Sequence, residues 1–251
     1  MHIDILTLFP DMIKAFFENS IMARAVEKGI ITYNIIDFRD FTHDRHRTCD
    51  DVPYGGGAGM ILKPEPLFEA LESIEAKKAR VVFPTPSGKL FNQEYAASLS
   101  SVERLVFICG HYEGLDQRVI DEYVDDEISI GDYVLTSGET SSIVIIDALF
   151  RLIDGVISSE SLEDESFSSP LLEYPQYTRP ERYCQKSVPD VLLSGHHERI
   201  ATWRVFQRLE KTMLSRPELL TTASLDVESR KKLIKLLDNK GTSENGRNQG
   251  Y

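Results

Sequence analysis

The first 155 residues alternate short apolar runs with amphipathic stretches, and this alternation constrains the fold more than any other feature. Candidate strands are Ile3–Leu8, Ile30–Ile36, Arg80–Phe83, Leu105–Cys109 and Glu127–Ile130. Candidate helices lie between them at residues 10–29 (with a break near Ser20), Glu65–Ala76, Gln93–Leu99 and Glu139–Ile153. Repeated strand–helix units are typical of a mostly parallel sheet covered by helices. We therefore predict an α/β domain over residues 1–157.

The remainder of the chain has a different character. Residues 158–172 begin with a run rich in serine and acidic residues, which predicts a flexible linker. Beyond Pro189 the pattern becomes helical, with one long candidate helix at His196–Met213 and a last helix that Ser224 or Asp226 could cap. We predict a small all-helical domain over residues 173–239 and a disordered tail over 240–251.

Cysteine usage and hydropathy exclude several classes of protein. The three cysteines are far apart and form no C-x-x-C pair, so neither a disulfide framework nor a zinc site is expected. No apolar run reaches the roughly 18 residues of a membrane span. The apolar N-terminus contains Asp4 and lacks a basic segment, which indicates a first strand and not a signal peptide. A cytoplasmic protein without a membrane partner is expected.

The net charge of −12 argues against a nucleic-acid partner if only the total is considered. Its distribution matters more. Basic residues cluster at 39–47 and 199–216, whereas acidic residues concentrate at 113–132 and 160–165. From charge alone, a basic binding face on an acidic body and two ordinary solvated surfaces both stay open.

Residues 39–60 form a long polar segment, and such loops inside a compact domain are usually functional. Four glycines between positions 55 and 59 leave backbone amides open to a ligand. A phosphate loop is excluded because no Gly-Lys-Ser/Thr follows, and no strand or helix flanks the glycines as in a dinucleotide site. The basic residues of this segment could bind phosphates, and its carboxylates could accept hydrogen bonds from the edge of a guanine. The alternative is that the segment is merely a flexible loop.

Three further loops follow candidate strands, at Val82–Gly88, Phe107–Gly114 and Ile130–Glu139. Ligands of open α/β sheets bind at the carboxyl ends of the strands. The three loops could therefore line one pocket, although each alone is more typical of a plain turn. His111 taken alone is more typical of a structural or surface histidine than of a catalytic one.

Taken together, the motifs are much more specific. They are LFP (8–10), RDFTHDRHRTCDDVPYGGGAGM (39–60), CGHYEG (109–114), IGDYVL (130–135), YTRPE (177–181), LLSGHH (192–197) and RPELL (216–220). In this order they resemble the bacterial tRNA (guanine-N1)-methyltransferases from Ile3 to about Leu220. That family belongs to the trefoil-knotted (SPOUT) methyltransferases, so the resemblance implies a deep knot, which topology rules alone would not propose.

The resemblance also implies an S-adenosylmethionine site within the knot, held largely by backbone groups. The matching positions are Phe83, Pro84, Thr85, Pro86, Gly110, Tyr112, Glu113, Ile130, Gly131, Asp132, Tyr133, Val134, Leu135 and Gly138. Glycines and backbone amides can hold an adenosine with few charged side chains. One departure is Ser137, where the family often has a second glycine.

The implied reaction is a direct displacement at the methyl carbon by guanine N1, which must lose a proton. It calls for a carboxylate base and a cation near O6. The matching cation is Arg151; without the resemblance it would be read as a charge partner of a helix C-terminus. By direct register Glu165 takes the place of the family's aspartate, with Asp164 as the alternative, and the segment from Arg151 to Ser166 is one residue shorter than expected. The further alternative is that both acids only aid solubility.

Recognition of tRNA is implied for two groups of residues. The loop positions are Arg45, His46, Asp50 and Gly59, and the C-terminal positions are Ser194, His197, Arg199, Trp203 and Arg208. The family acts as a homodimer, which places Arg151 and Glu165 within reach of a partner's cofactor, and it is described as magnesium-assisted. The sequence has no metal-ligand spacing that supports or excludes Mg²⁺.

Three other functions compete with this interpretation. A knotted methyltransferase with another RNA target is disfavoured by the His46–Asp50 loop, which would have no guanine edge to recognise. A non-catalytic RNA-binding regulator is disfavoured by the intact pocket motifs and Arg151, although the altered acid pair keeps it open. A nucleotide-binding protein using the glycine loop lacks the lysine that such a site needs.

Overall fold

The computed structural model describes residues 1–157, 166, 171–223, 225, 227 and 229–234. The chain divides into two compact units, Met1–Ser158 and Ser159–Tyr251. Most of the predicted linker and the whole of the predicted tail at 240–251 lie outside the described residues.

The first unit contains a five-stranded parallel sheet, which confirms the predicted α/β class. In chain order the strands are β1 (His2–Thr7), β2 (Thr32–Asp37), β3 (Asp50–Asp51), β4 (Ile61–Leu62), β5 (Arg80–Leu90), β6 (Arg104–Ile108) and β7 (Asp126–Ser129). The sheet order is β2-β1-β6-β5-β7, and every pairing in it is parallel. Strands β3 and β4 form a separate short antiparallel pair.

Helices cover both faces of this sheet. They are α1 (Pro10–Phe17), α2 (Ser20–Glu27), α3 (Pro64–Ser73), α4 (Gln93–Ser100), α5 (Gln117–Tyr123) and α6 (Gly138–Phe150), with 3-10 helices at Phe38–Phe41 and Ala76–Lys78. On β6, Leu105 and Phe107 pack against α1, α2, α4 and α6, whereas Val106 and Ile108 pack against α3 and α5. Successive side chains of a strand point to opposite faces, so a continuous apolar run builds both cores.

Two sequence predictions in this unit were wrong. Helix α5 was missed because it is short, lies among acidic residues and buries only Val119 and Tyr123. Strand β5 continues seven residues past the predicted end at Phe83, because its prolines lie where the β5–β7 register shifts between Pro84 and Lys89. A Cβ on Gly88 would lie 2.5 Å from the backbone of β7, so this extension requires a glycine there.

The second unit is mainly helical. Its described elements include a hairpin of β8 (Arg182–Tyr183) and β9 (Lys186–Ser187), then α7 (Asp190–Leu193), α8 (His197–Ser215) and α9 (Leu219–Thr222). Residues 229–234 are helical as well. Helix α8 confirms the long predicted helix. The prediction of an all-helical domain was wrong because Cys184 and Gln185 adopt positive φ angles and close the hairpin. The suggested caps Ser224 and Asp226 lie outside the described residues, and the knot stays a prediction.

Candidate active site

A cavity of about 280 Å³ opens where β5, β6 and β7 send their loops toward the start of α6. Every predicted cofactor position except Asp132 lines it: Phe83, Pro84, Thr85, Pro86, Gly110, Tyr112, Glu113, Ile130, Gly131, Tyr133, Val134, Leu135 and Gly138. The prediction did not include His111, Gly114, Ile128, Ser129, Thr136, Ser137 and Ser141, which also line it. Most of these residues adjoin a predicted position in the sequence, and this adjacency is the feature from which they could have been predicted.

Two glycines bring the cavity walls together. The Gly138 N–H, at the first residue of α6, donates to the Gly110 carbonyl at 2.8 Å. A Cβ on Gly138 would lie 2.4 Å from the Gly110 nitrogen, and one on Gly110 would lie 2.8 Å from the Phe83 ring. The backbone of the β6 loop therefore packs directly on the helix start, and any side chain at either position would push the walls apart.

The rim of the cavity is apolar and exposed. Tyr133 is 54% exposed and Val134 is 82% exposed in the loop after β7, and Tyr112 of the β6 loop is 56% exposed. Asp132, which is also exposed, lies in the β7 loop but outside the cavity lining. Exposed apolar residues beside a cavity are typical of surfaces that meet a ligand or another chain.

A buried carboxylate lies behind the cavity wall. Glu139 is 0% exposed; its Oε1 accepts from the Thr7 hydroxyl at 2.5 Å and its Oε2 lies 2.7 Å from His111 Nε2. Burial raises the pKa of Glu139, but hydrogen bonds from His111, Thr7 and the backbone outweigh it and hold the pKa below its ordinary value. An ionised carboxylate only accepts, so the Nε2 of His111 carries a proton.

The neighbouring Cys109 is not placed to act as a nucleophile. Its side chain is fully buried, with the sulfur 3.4 Å from the Ser142 hydroxyl. Burial and the nearby Glu139 charge raise the pKa of the Cys109 thiol, so it stays protonated. Covalent chemistry through this thiol is disfavoured.

The glycine-rich loop is attached to the cavity wall. The Glu113 N–H donates to the Met60 carbonyl at 3.0 Å, and a Cβ on Gly59 would lie 2.1 Å from Glu113 Oε1. Arg45 and His46 are exposed in this loop, and Asp50 is half-buried in β3. The structure thus brings Gly59 to the cavity rim, while Arg45 and His46 face solvent.

The amino-acid sequence matches the family model of tRNA (guanine-1)-methyltransferase TrmD over residues 1–222. A tRNA (guanine-N(1)-)-methyltransferase of Treponema denticola is 64% identical over 223 residues, covering 89% of this chain and 92% of the relative. Those of Treponema pallidum and Borrelia duttonii are 56% and 58% identical, covering 95% and 87% of this chain and 96% and 92% of their own. The chain belongs to the tRNA (guanine-1)-methyltransferase family. It is a methyltransferase, and the cavity is its candidate active site.

The predicted catalytic residues lie apart from this cavity or outside the described residues. Arg151 caps the C-terminal end of α6, whose N-terminal residue Gly138 lines the cavity. Ser141 is the last residue of α6 in the cavity lining, and at a rise of 1.5 Å per residue it lies about 15 Å from Arg151, farther than an arginine side chain reaches. Glu165 and Asp164 lie outside the described residues.

The predicted tRNA-binding residues of the second unit occupy different environments. Ser194, His197 and Arg199 are exposed, and the half-buried Trp203 ring lies 6.4 Å from that of Tyr177. The Arg208 guanidinium instead donates to the Leu171 and Leu172 carbonyls, which favours a structural role. Sequence reasoning did not single out the exposed hairpin cations Arg182 and Lys186.

Two classes of site are not found in the described part of the chain. No group of three or more His, Cys, Asp or Glu residues there is arranged to hold a metal ion. None of the helices described is both long and apolar enough to cross a membrane.

Proposed function

We propose that this methyltransferase transfers a methyl group from S-adenosylmethionine to N1 of the guanine on the 3′ side of the anticodon in tRNA. The observation that carries the proposal is the cavity, which gathers all but one of the positions that the family resemblance assigns to the cofactor. The relatives named as tRNA (guanine-N(1)-)-methyltransferases cover most of the chain, which supports the same substrate.

The residues of the cavity fit an adenosyl cofactor. Its volume of about 280 Å³ lies just below the roughly 300–1,000 Å³ of ligand pockets. Phe83, Pro84 and Leu135 supply apolar surface for a base, and Gly110, Gly131 and Gly138 leave room for the ligand because they have no side chains. The bound cofactor would supply an electrophilic methyl carbon.

The protein's own task is to handle the proton and charge of guanine. A carboxylate must take the N1 proton, and we assign this to Glu165, with Asp164 as the alternative. The Arg151 guanidinium would stabilise the negative charge that develops on O6.

These assignments require two subunits. Because Arg151 lies about 15 Å along α6 from Ser141, the last residue of that helix in the cavity lining, Arg151 of one chain would serve the cofactor of its partner. The exposed rim residues Tyr133 and Val134 supply apolar surface for such contact. We therefore propose a homodimer with composite active sites.

The tRNA would contact both units. Arg45, His46, Asp50 and Gly59 would surround the target base, and Ser194, His197, Arg199 and Trp203 would contact the anticodon stem; Arg208 is the weakest member because its guanidinium holds backbone carbonyls. Cytoplasmic location and assistance by Mg²⁺ are parts of the same proposal.

The test is methyl transfer from labelled S-adenosylmethionine to an unmodified tRNA transcript with G at the 3′ side of the anticodon, against one with A there. Methylation of the G transcript alone is expected. The same assay compares Glu165→Ala with Asp164→Ala. The variant that lacks the general base should lose about 100-fold or more in rate, since general bases contribute roughly 10²–10⁴-fold.

Other outcomes would redirect the assignment. Methylation of both transcripts indicates a different nucleotide or RNA target. Cofactor binding without methylation of either favours a non-catalytic RNA-binding regulator.

A further inference from the structure

Glu139 is a buried charge that the proposed chemistry does not use. Its two carboxylate oxygens join three segments: Thr7 at the end of β1, His111 in the loop after β6, and the first turn of α6. These partners lie 132 and 28 residues from Glu139 in sequence. The carboxylate therefore fixes the β6 loop to the helix and to the sheet at one point.

The burial of Glu139 needs a reason, because removing a carboxylate from water is costly. Apolar residues in place of a buried pair of charged groups often give a fold that is at least as stable. The buried Asp4 and Asp126 are paired with the arginines Arg104 and Arg80, and Asp4 also contacts the His2 imidazole at 3.3 Å. Glu139 instead accepts a hydrogen bond from the imidazole of His111, whose side chain is 9% exposed, and it pairs with no lysine or arginine among the described residues. Glu139 follows the cavity-lining Gly138 directly, and its carboxylate bonds the cavity-lining His111 ring. This position suits a role in holding the His111 ring in place.

The His111 ring is held from several directions. Its Nε2 bonds Glu139, and the Phe9 ring lies 5.0 Å away. Its neighbours Gly110 and Tyr112 line the cavity. Tyr112 has a φ of 56°, a strained conformation for a side-chain-bearing residue that persists only where the surroundings impose it. Two bonds to α6 therefore fix this loop: His111 to Glu139, and Gly110 to Gly138.

We propose that Glu139 is a positioning residue that, through His111, holds the loop at residues 110–113 in the shape that binds the adenosyl cofactor. It sets cofactor affinity and not the rate of the methyl-transfer step. The inference rests on the proposed function, specifically on S-adenosylmethionine as the cofactor.

The experiment measures the dissociation constant of S-adenosylmethionine by calorimetry for the wild type, Glu139→Gln and Asp4→Asn. Glutamine keeps the shape but removes the charge that accepts from His111. Affinity should fall by about 10- to 100-fold, the worth of a hydrogen bond to a charged group. KM for the cofactor should rise in parallel, while kcat changes by less than about threefold.

Asp4→Asn is the matched control, because Asp4 is 1% exposed and receives hydrogen bonds from Arg104 and Asn34 in the same sheet. It should lower the melting temperature while leaving cofactor affinity unchanged. His111→Ala is a second test, because it removes the same hydrogen bond from the other side. It replaces Glu139→Gln if that variant does not fold. The double variant should bind no more weakly than His111→Ala alone, since the carboxylate acts through the ring.

Three results would overturn the inference: unchanged affinity in Glu139→Gln or in its substitute His111→Ala, an equal loss of affinity in Asp4→Asn, or fully additive effects of Glu139→Gln and His111→Ala. A wild-type protein that binds no S-adenosylmethionine would instead overturn the proposed function and this inference with it.

Discussion

The strands of the parallel sheet all begin at one side, here called the amino edge, and all end at the other, the carboxyl edge. Both edges contain buried carboxylates, but the carboxylates have different partners. At the amino edge, Asp4 accepts from Arg104 Nε at 3.0 Å, and Asp126 accepts from Arg80 Nη2 at 2.9 Å and from the Tyr95 hydroxyl at 2.5 Å. At the carboxyl edge, Glu139 is bound by a hydroxyl and an imidazole beside an open cavity.

From this difference we infer that the amino edge contributes mainly to stability and the carboxyl edge mainly to ligand binding. At the amino edge, arginine side chains pair with the buried carboxylates Asp4 and Asp126. The carboxyl edge instead carries glycines, the left-handed Tyr112 and exposed apolar loops, which are features that lower stability but leave backbone groups accessible. We therefore expect substitutions at the carboxyl edge to change methyl transfer, and those at the amino edge to change the free energy of unfolding.

The largest effect is expected for Gly138→Ala. The added methyl would lie 2.4 Å from the Gly110 nitrogen, so the helix start and the β6 loop must separate. We expect a loss of about 100-fold or more in methyl transfer, as misplacement by roughly 1 Å produces. Steady-state kinetics measures it.

Gly29→Ala is the control for that loss. Gly29 has a φ of 67°, and a Cβ added there would have no atom within 4 Å, so alanine at this position is strained but not obstructed. It should cost about 1–2 kcal/mol of stability without changing methyl transfer. A Gly138→Ala enzyme with full activity would contradict the proposed site.

An intermediate effect is expected for Arg80→Ala at the amino edge. It removes two hydrogen bonds to Asp126, whose side chain is 7% exposed, while that of Arg80 is 41% exposed. Allowing for that exposure, we expect the free energy of unfolding to fall by about 1–2 kcal/mol. Urea unfolding measures it, and cofactor affinity should not change; a weaker affinity would show that the two edges are coupled.

The smallest effect is expected for Tyr95→Phe and appears only at alkaline pH. Burial, followed by the hydrogen bond to Asp126, raises the pKa of Tyr95 to about 12. Because the folded pKa lies above the unfolded value, this contribution is complete below pH ~10 and is lost as pH rises from about 10 to 12. Denaturant titrations across that window should show a shallower decline for Tyr95→Phe than for the wild type; identical slopes would exclude a role of Tyr95.

Local pattern was sufficient for most of the fold. Apolar runs gave β1, β6 and β7 to within one or two residues, and helical periodicity gave the long α8. It failed at Pro84–Gly88, where residues typical of a turn continue β5 because Gly88 lets β7 approach closely. It also failed at the β8–β9 hairpin, whose turn residues Cys184 and Gln185 are not typical of positive φ.

The sequence by itself determined the family, the strand–helix alternation and nearly all the residues of the cavity wall, because these depend on neighbours along the chain. Tertiary structure alone decided that the Thr7 hydroxyl meets Glu139 across 132 residues, and that His111 of the β6 loop meets the same carboxylate. Strand order in the sheet brings these partners together at the start of α6, and neither local composition nor motif spacing encodes that order.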